Sequence, residues 1–254
     1  MNRSRFRALA LTAVALAAGA HDASAETTNC TAITAVPTTI TAPGIYCLTG
    51  DVSLPGTGTA FTVDGPEGVV IDLNGYTVYG GGSGTALVVR NAKRVTMRNG
   101  SVIDVARAAQ IQSSGAWVQL EDLKIIVMGY YPTIESHGHG TVIQRNWIER
   151  GKPVIRTYGA ATRISDNDVM FATDGIDIEG YAATVEDNRV GRSTASAGSF
   201  GIRTSATDHA IVSRNTVSAF SICFDLGANT RYRENVTNMC TNTYAGGVSA
   251  GSNY

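Results

Sequence analysis

One short pattern returns eight times along this chain, and it limits the folds open to it more than any other feature. The segments TVIQRNWIE, TRISDNDVM and TVEDNRVG show it plainly: a short β-type run, an asparagine, then a second short β-type run. The shared positions are Asn74, Asn99, Asp122, Asn146, Asn167, Asn188, Asn215 and Asn235. Their spacings lie between 20 and 27 residues. A fixed period of that size marks a solenoid, in which each repeat is one supersecondary unit stacked on the next. Asparagine has a physical reason to recur at a corner. It tolerates the left-handed turn conformation, and its amide can bond to backbone and to an identical amide in the turn above or below. The pattern predicts an inward asparagine ladder.

A second pattern lies ten to twelve residues before several of these positions. It reads Ile134-Glu135-Ser136-His137, Ile155-Arg156-Thr157-Tyr158, Ile176-Asp177-Ile178-Glu179 and Ile202-Arg203-Thr204-Ser205. A period of two means a strand with one side in and one side out. Each repeat therefore carries about three strands: this one, one before the Asn such as Val142–Gln144, and one after it such as Trp147–Glu149. Helical repeats fail the same test, because Gly, Asn and β-branched residues interrupt every stretch of helical period. The expected fold is all-β, a right-handed parallel β-helix solenoid of about 8–9 coils with an Asn ladder.

The first 25 residues stand apart. Arg3, Arg5 and Arg7 precede an apolar run from Leu9 to Ala18, and Ala23-Ser24-Ala25 forms a small-residue cleavage site. This is the form of a signal peptide, so the expected organisation is signal peptide 1–25, N-terminal cap 26–58, parallel β-helix 59–240 and C-terminal tail 241–254. Export, to the periplasm or beyond, follows from that reading. No later stretch is long and apolar enough for a transmembrane helix. With 16% charged residues and a net charge of −1, no basic field points to nucleic acid. Four cysteines in an oxidising compartment favour disulfides, and four allow three pairings. Cys30–Cys47 and Cys223–Cys240 are the expected pair, since each staples one end; other pairings and free thiols stay open.

The Asn-containing repeats from about Thr59 to Asn238 resemble the right-handed parallel β-helix superfamily typified by pectate lyases, polygalacturonases and related periplasmic repeat proteins. The resemblance implies a substrate cleft on the outer face of the first strand's sheet. Outward positions there form two columns: Gln112, Glu135, Arg156, Asp177, Arg203 and Asp225 in one, and Ser114, His137, Tyr158, Glu179 and Ser205 in the other. They read either as a solvated face tidied by weak surface ion pairs or as a binding groove walled by Tyr130, Tyr131, Phe171, Phe200 and the long connection Gly191–Ser199. Aromatic faces beside Arg and carboxylates suit acidic sugars.

Three local motifs bear on chemistry. Thr173-Asp174-Gly175-Ile176-Asp177 matches a polygalacturonase strand entry, but Gly138-His139-Gly140 comes one coil before it, no Asp-Asp pair follows, and Gly201-Ile202-Arg203 is the nearest thing to R-I-K. Lys152-Pro153-Val154-Ile155-Arg156 keeps the Pro and the second Arg of the pectate lyase R-x-P-x-x-R, with Lys152 beside the missing first Arg. For elimination or C5-epimerisation on a uronate, Arg156, Lys152, Tyr158 and His137 are the right residue types, and Ca²⁺ is the cation implied, on Asp177 and Glu179. Glu135, His137 and His139 supply the ligand types of a Zn²⁺ or Cu²⁺ site, although on a flat strand they span about 13 Å.

The expected site is therefore Arg156, Asp177, Glu179, Arg203, His137 and Lys152 for catalysis, with Glu135, Tyr158, Tyr130, Tyr131 and Asp174 for substrate. The expected partner is an acidic polysaccharide or other glycan, modified by lyase or epimerase chemistry rather than hydrolysis. A non-catalytic glycan- or surface-binding solenoid and a periplasmic metal-binding repeat protein stand as alternatives. The same reading expects Asp177→Ala to abolish function with little effect on stability.

Overall fold

The computed structural model describes residues 28–112, 115–205 and 209–254. The signal-peptide segment 1–25 and Ser114 lie outside the described residues. Twenty-six strands and no helix make up the described chain. It winds into a parallel β-helix of about nine turns. Three strands form each turn, as the repeat predicts, and every pairing between turns is parallel. In the middle of the stack the first sheet runs Ile134–Ser136, Ile155–Thr157, Ile176–Ile178 and Phe200–Thr204. The second runs Val142–Gln144, Arg163–Ser165, Thr184–Glu186 and Ile211–Ser213. The third runs Trp147–Glu149, Asp168–Met170, Arg189–Gly191 and Thr216–Ser218.

Alternation within three-residue strands is enough to build the core. Ile134, Ile155, Ile176 and Ile202 stack on one another, fully buried, as do Ile143, Ile164, Val185 and Val212 in the second sheet and Ile148, Val169, Val190 and Val217 in the third. β-Branched side chains pack well on such a pleated surface, and each aliphatic column is extended by every added turn.

The asparagine ladder is present. Asn146 donates from Nδ2 to Oδ1 of Asn167 at 2.9 Å, Asn167 to Asn188 at 2.9 Å, Asn188 to Asn215 at 3.0 Å and Asn215 to Asn235 at 3.1 Å. Each amide also donates to backbone carbonyls, as Asn188 does to Ile164 and Glu186, while its Oδ1 accepts the backbone N–H of the preceding ladder residue. The ladder amides are thus satisfied without water.

The eight repeat positions divide into two classes, which corrects the single role expected for them. Asn74, Asn99 and Asp122 themselves adopt positive φ, whereas from Asn146 onward the left-handed residue is the one before: Arg145, Asp166, Asp187, Arg214 and Glu234. Strand register explains the offset. Glu121 lies opposite Gln144 and Lys124 opposite Trp147, so Asp122 faces Arg145 and Asn146 sits over Leu123. The first three side chains cannot enter the ladder from a left-handed corner. Buried Asp72 does related work there, accepting from Asn99 Nδ2 at 3.0 Å and Arg98 Nε at 3.1 Å.

Disulfides Cys30–Cys47 and Cys223–Cys240 close as expected, one at each end. Strand pairing begins at Thr31–Ile33, inside the expected cap, and continues through Asn242–Ser249, inside the expected tail. Stacked Phe224, Tyr244 and Tyr232 fill the last turns, with centroids 4.9 and 4.6 Å apart. Within the strand Asn242–Ser249, Gly246 and Gly247 are both left-handed, and the register to the preceding turn shifts between Leu226 and Arg231 opposite them. A Cβ on Gly246 would fall 2.0 Å from the Leu226 oxygen.

Asn188→Ala removes an amide whose two N–H groups reach three acceptors and whose Oδ1 accepts from Asn167, and is expected to destabilise the protein by roughly 3 kcal/mol or more, since buried groups left unpaired cost about 1–3 kcal/mol each. Asn253→Ala, at the solvent end of the ladder, is expected to cost less than about 1 kcal/mol. Urea unfolding followed by circular dichroism measures both.

Candidate binding face on the first sheet

In-register stacking turns the outward residues of the first sheet into straight columns. One runs Gln110, Glu135, Arg156, Asp177, Arg203, Asp225. Gln112, expected at its head, instead lies two residues further on, in line with His137. Arg90 is its neighbour there, donating from Nε to the Gln112 amide at 3.1 Å. The second column continues through His137, Tyr158, Glu179 and Ser205, whose backbone N–H groups each bond across to the preceding turn.

The centre of the face is Asp177. It points outward in the strand pattern yet is only 1% exposed, because two arginines from the flanking turns fold over it. Arg203 donates from Nε to Oδ1 at 2.8 Å and from Nη2 to Oδ2 at 2.7 Å. Arg156 donates from Nε to Oδ2 at 3.0 Å and lies 2.9 Å from it at Nη2. The hydrogen bonds it donates to Asp177 hold the Arg203 guanidinium above its ordinary pKa against the pull of burial. For Arg156 burial works downward, and the charge and hydrogen bonds of Asp177, with Tyr158, outweigh it. One short carboxylate thus fixes two long cations in place while their side chains stay 28% and 38% exposed. Both its oxygens are engaged, so this carboxylate acts on its surroundings through the two guanidinium groups.

The other expected residues distribute around this clamp. Glu179 is exposed, 3.7 Å from Arg156. His137 and Tyr158 stack face to face, centroids 4.4 Å apart and 7° from parallel. Glu135 lies 3.9 Å from Arg107, whose guanidinium sits 4.9 Å from the centre of the Tyr131 ring. Tyr130 is 78% exposed beside it. Phe200 lies under Arg203 at 4.1 Å. Lys152 and Asp174 are set apart from the clamp, at the edge where the chain enters the sheet, against the connection Ser196–Ser199. His139 accepts the Ala160 N–H on Nδ1 at 3.0 Å. It does not converge with Glu135 and His137, and among the described residues no three His, Cys, Asp or Glu side chains group in a way that would hold a metal ion.

Two cations of this face are missing from the sequence reading. Arg107 opens a strand, Arg107–Ile111, whose alternation is blurred by paired alanines. Arg192 begins the long connection, which its length marks out and its charge does not; it donates to the Thr173 oxygen at 2.7 Å.

No family model matches the sequence, and no curated protein matches it. Among solved structures the chain is similar to endopolygalacturonase I from Stereum purpureum complexed with two galacturonate, at 13% identity and a TM-score of 0.41, over 89% of this chain and 96% of that one. The class defined by the chain's own strand pairing is the parallel β-helix.

The burial of Asp177 reverses the stability expectation for its removal. Asp177→Ala leaves two guanidinium groups crowded without their anion and is expected to lower stability by roughly 2–3 kcal/mol, less than a fully enclosed pair because both arginines reach solvent. Thermal melting tests this, with Glu179→Ala as the exposed control expected to change little.

Asp174 carries the other electrostatic signal. Burial pushes its carboxyl above the ordinary Asp range, against the lowering effect of the Phe200 backbone N–H and of Lys152, Arg203 and Arg192. The folded chain then holds this proton more tightly than the unfolded one, so stability falls as pH rises through the folded value. Asp174→Asn is expected to raise the melting temperature at neutral pH, with the advantage fading as pH drops below the unfolded Asp value of about 3.9.

Proposed function

We propose that this protein is an exported glycan-binding β-helix that takes an acidic polysaccharide along the outer face of its first sheet. The observation that carries the reading is the Arg156–Asp177–Arg203 clamp. Guanidinium groups held rigid before a ligand arrives lose little freedom on binding, and their planar donors match carboxylates in geometry and charge. The stacked His137–Tyr158 pair beside the clamp supplies aromatic surface. Tyr130, Tyr131 and the connection Gly191–Ser199 would wall the face. Two disulfides support export, since such bonds persist in oxidising compartments.

A catalytic form of the reading is uronate elimination or C5-epimerisation. It draws support from the cations Lys152, Arg203 and Arg192 acting on Asp174, a carboxyl whose pKa burial raises. Positive charge would neutralise the uronate carboxylate while a base removes the C5 proton. Ca²⁺ would have to take the exposed Glu179 carboxylate from its 3.7 Å contact with Arg156, the Asp177 oxygens being already engaged by arginine.

Purified protein is expected to be retained by polygalacturonate, alginate or hyaluronan at low salt. The Arg156→Ala/Arg203→Ala pair should weaken retention about tenfold or more. Retention by none of these polymers rules the proposal out. A rise in ultraviolet absorbance from an unsaturated uronate, with or without Ca²⁺, establishes a lyase; retention without chemistry leaves a binding protein.

A further inference from the structure

A polar pocket of about 170 Å³ opens at the entry edge of the first sheet, lined by Lys152, Thr173, Asp174, Arg192 and the connection Ser196–Ser199. Its charges are arranged unlike those of the clamp. Arg156 and Arg203 are neutralised directly by Asp177. Among the described residues, Lys152 and Arg192 close no salt bridge with any carboxylate. Asp174 senses both, and Arg203 behind them, as charges at a distance. Arg192 is oriented by its bond to the Thr173 oxygen, and Asp174 receives the Phe200 backbone N–H. The wall is built by the longest interval in the ladder: the chain spends 27 residues between Asn188 and Asn215, against 21 between Asn167 and Asn188. Two cations left without a direct anion, facing a half-buried carboxyl across a small polar cavity, make a receptor for one more anionic group.

We infer that this pocket takes the carboxylate of a single uronate sugar, held by Lys152 and Arg192 beside the Asp174 carboxyl. This rests on the acidic-glycan reading of the first sheet and names the part of the ligand that is recognised apart from the clamp. Two carboxyl groups at close range cannot both stay ionised, so a bound uronate favours the proton on Asp174. The groups facing Asp174 are Lys152, Arg192, Arg203 and the Phe200 N–H, all of which favour its ionised form; only desolvation opposes them. A ligand carboxylate that engages the two open cations removes part of that opposition and strengthens the proton's hold. Binding then tightens towards acidic pH, the reverse of a site built from cations alone, where the ligand's own protonation weakens it.

The test titrates galacturonate, galactose and galactose 6-sulfate into the full protein by calorimetry at about pH 4.5, close to the ordinary Asp value, and at about pH 7.5, well above it. Galacturonate is expected to bind about tenfold more tightly at the lower pH, with galactose weaker at both. Asp174→Asn, a permanent donor, should bind at the higher pH as wild type does at the lower. Lys152→Ala/Arg192→Ala should lose binding at both, with melting curves confirming that it is folded. Equal affinity for galactose, a preference for the sulfate, no binding, or a pH-independent wild type each overturns the inference. Polymer retention that survives in Lys152→Ala/Arg192→Ala leaves the clamp reading standing when this one fails. Galacturonate binding without any polymer retention has the opposite meaning.

Discussion

Everything in this molecule hangs on a stack of buried amides. From Asn146 to Asn235 each side chain bonds to its counterpart in the next turn and to the backbone of its own corner. A buried amide with all its partners is favourable, and one displaced by a single residue would leave several groups dry and unpaired. The ladder therefore fixes the phase of the turns from Asn146 onward. The strands need only three residues each because their register is set at the corner, not by their own length.

A fixed phase has a functional corollary. Since the corners cannot shift, variation in repeat length must be absorbed elsewhere, and the extra residues between Asn188 and Asn215 appear in the connection that enters the first sheet. The same constraint aligns outward side chains from neighbouring turns at sheet spacing, about 4.8 Å. Arg156, Asp177 and Arg203 come from three turns, yet behave as one unit because nothing in the backbone lets them drift apart. The first sheet thus gains both a rigid charged floor and a wall of variable length on one side.

The fold was legible because its signal repeats: one asparagine says little, and seven with one aspartate at a steady spacing say solenoid. What the repeat could not disclose was a one-residue offset. Asn99 and Asn146 look equivalent in sequence, but one sits in the left-handed corner and the other just past it, and only the pairing of Glu121 with Gln144 separates them. Gln112 was misplaced for a similar reason, since Gln110 and Gln112 share one phase of the alternation and only the pairing of Gln110 with Glu135 shows which begins the column. Alternation correctly turned Asp177 outward, and outward was taken to mean wet. A short side chain between two long ones of opposite charge is covered by them, and that depends on the neighbouring turns, which a linear pattern does not contain. Arg107 and Arg192 escaped notice because neither lies in a clean alternating strand.

A solenoid whose turns are nearly interchangeable faces a hazard at its last one. The exposed edge of a final parallel strand is a template on which an identical molecule could continue the stack. Gly246 and Gly247 turn the backbone left-handed in the middle of that edge, where a side chain would strike the turn beneath. An incoming strand would meet an edge whose backbone and register are irregular at its middle. Two residues without side chains thus put an irregularity into the very edge on which one stack of turns would otherwise meet another.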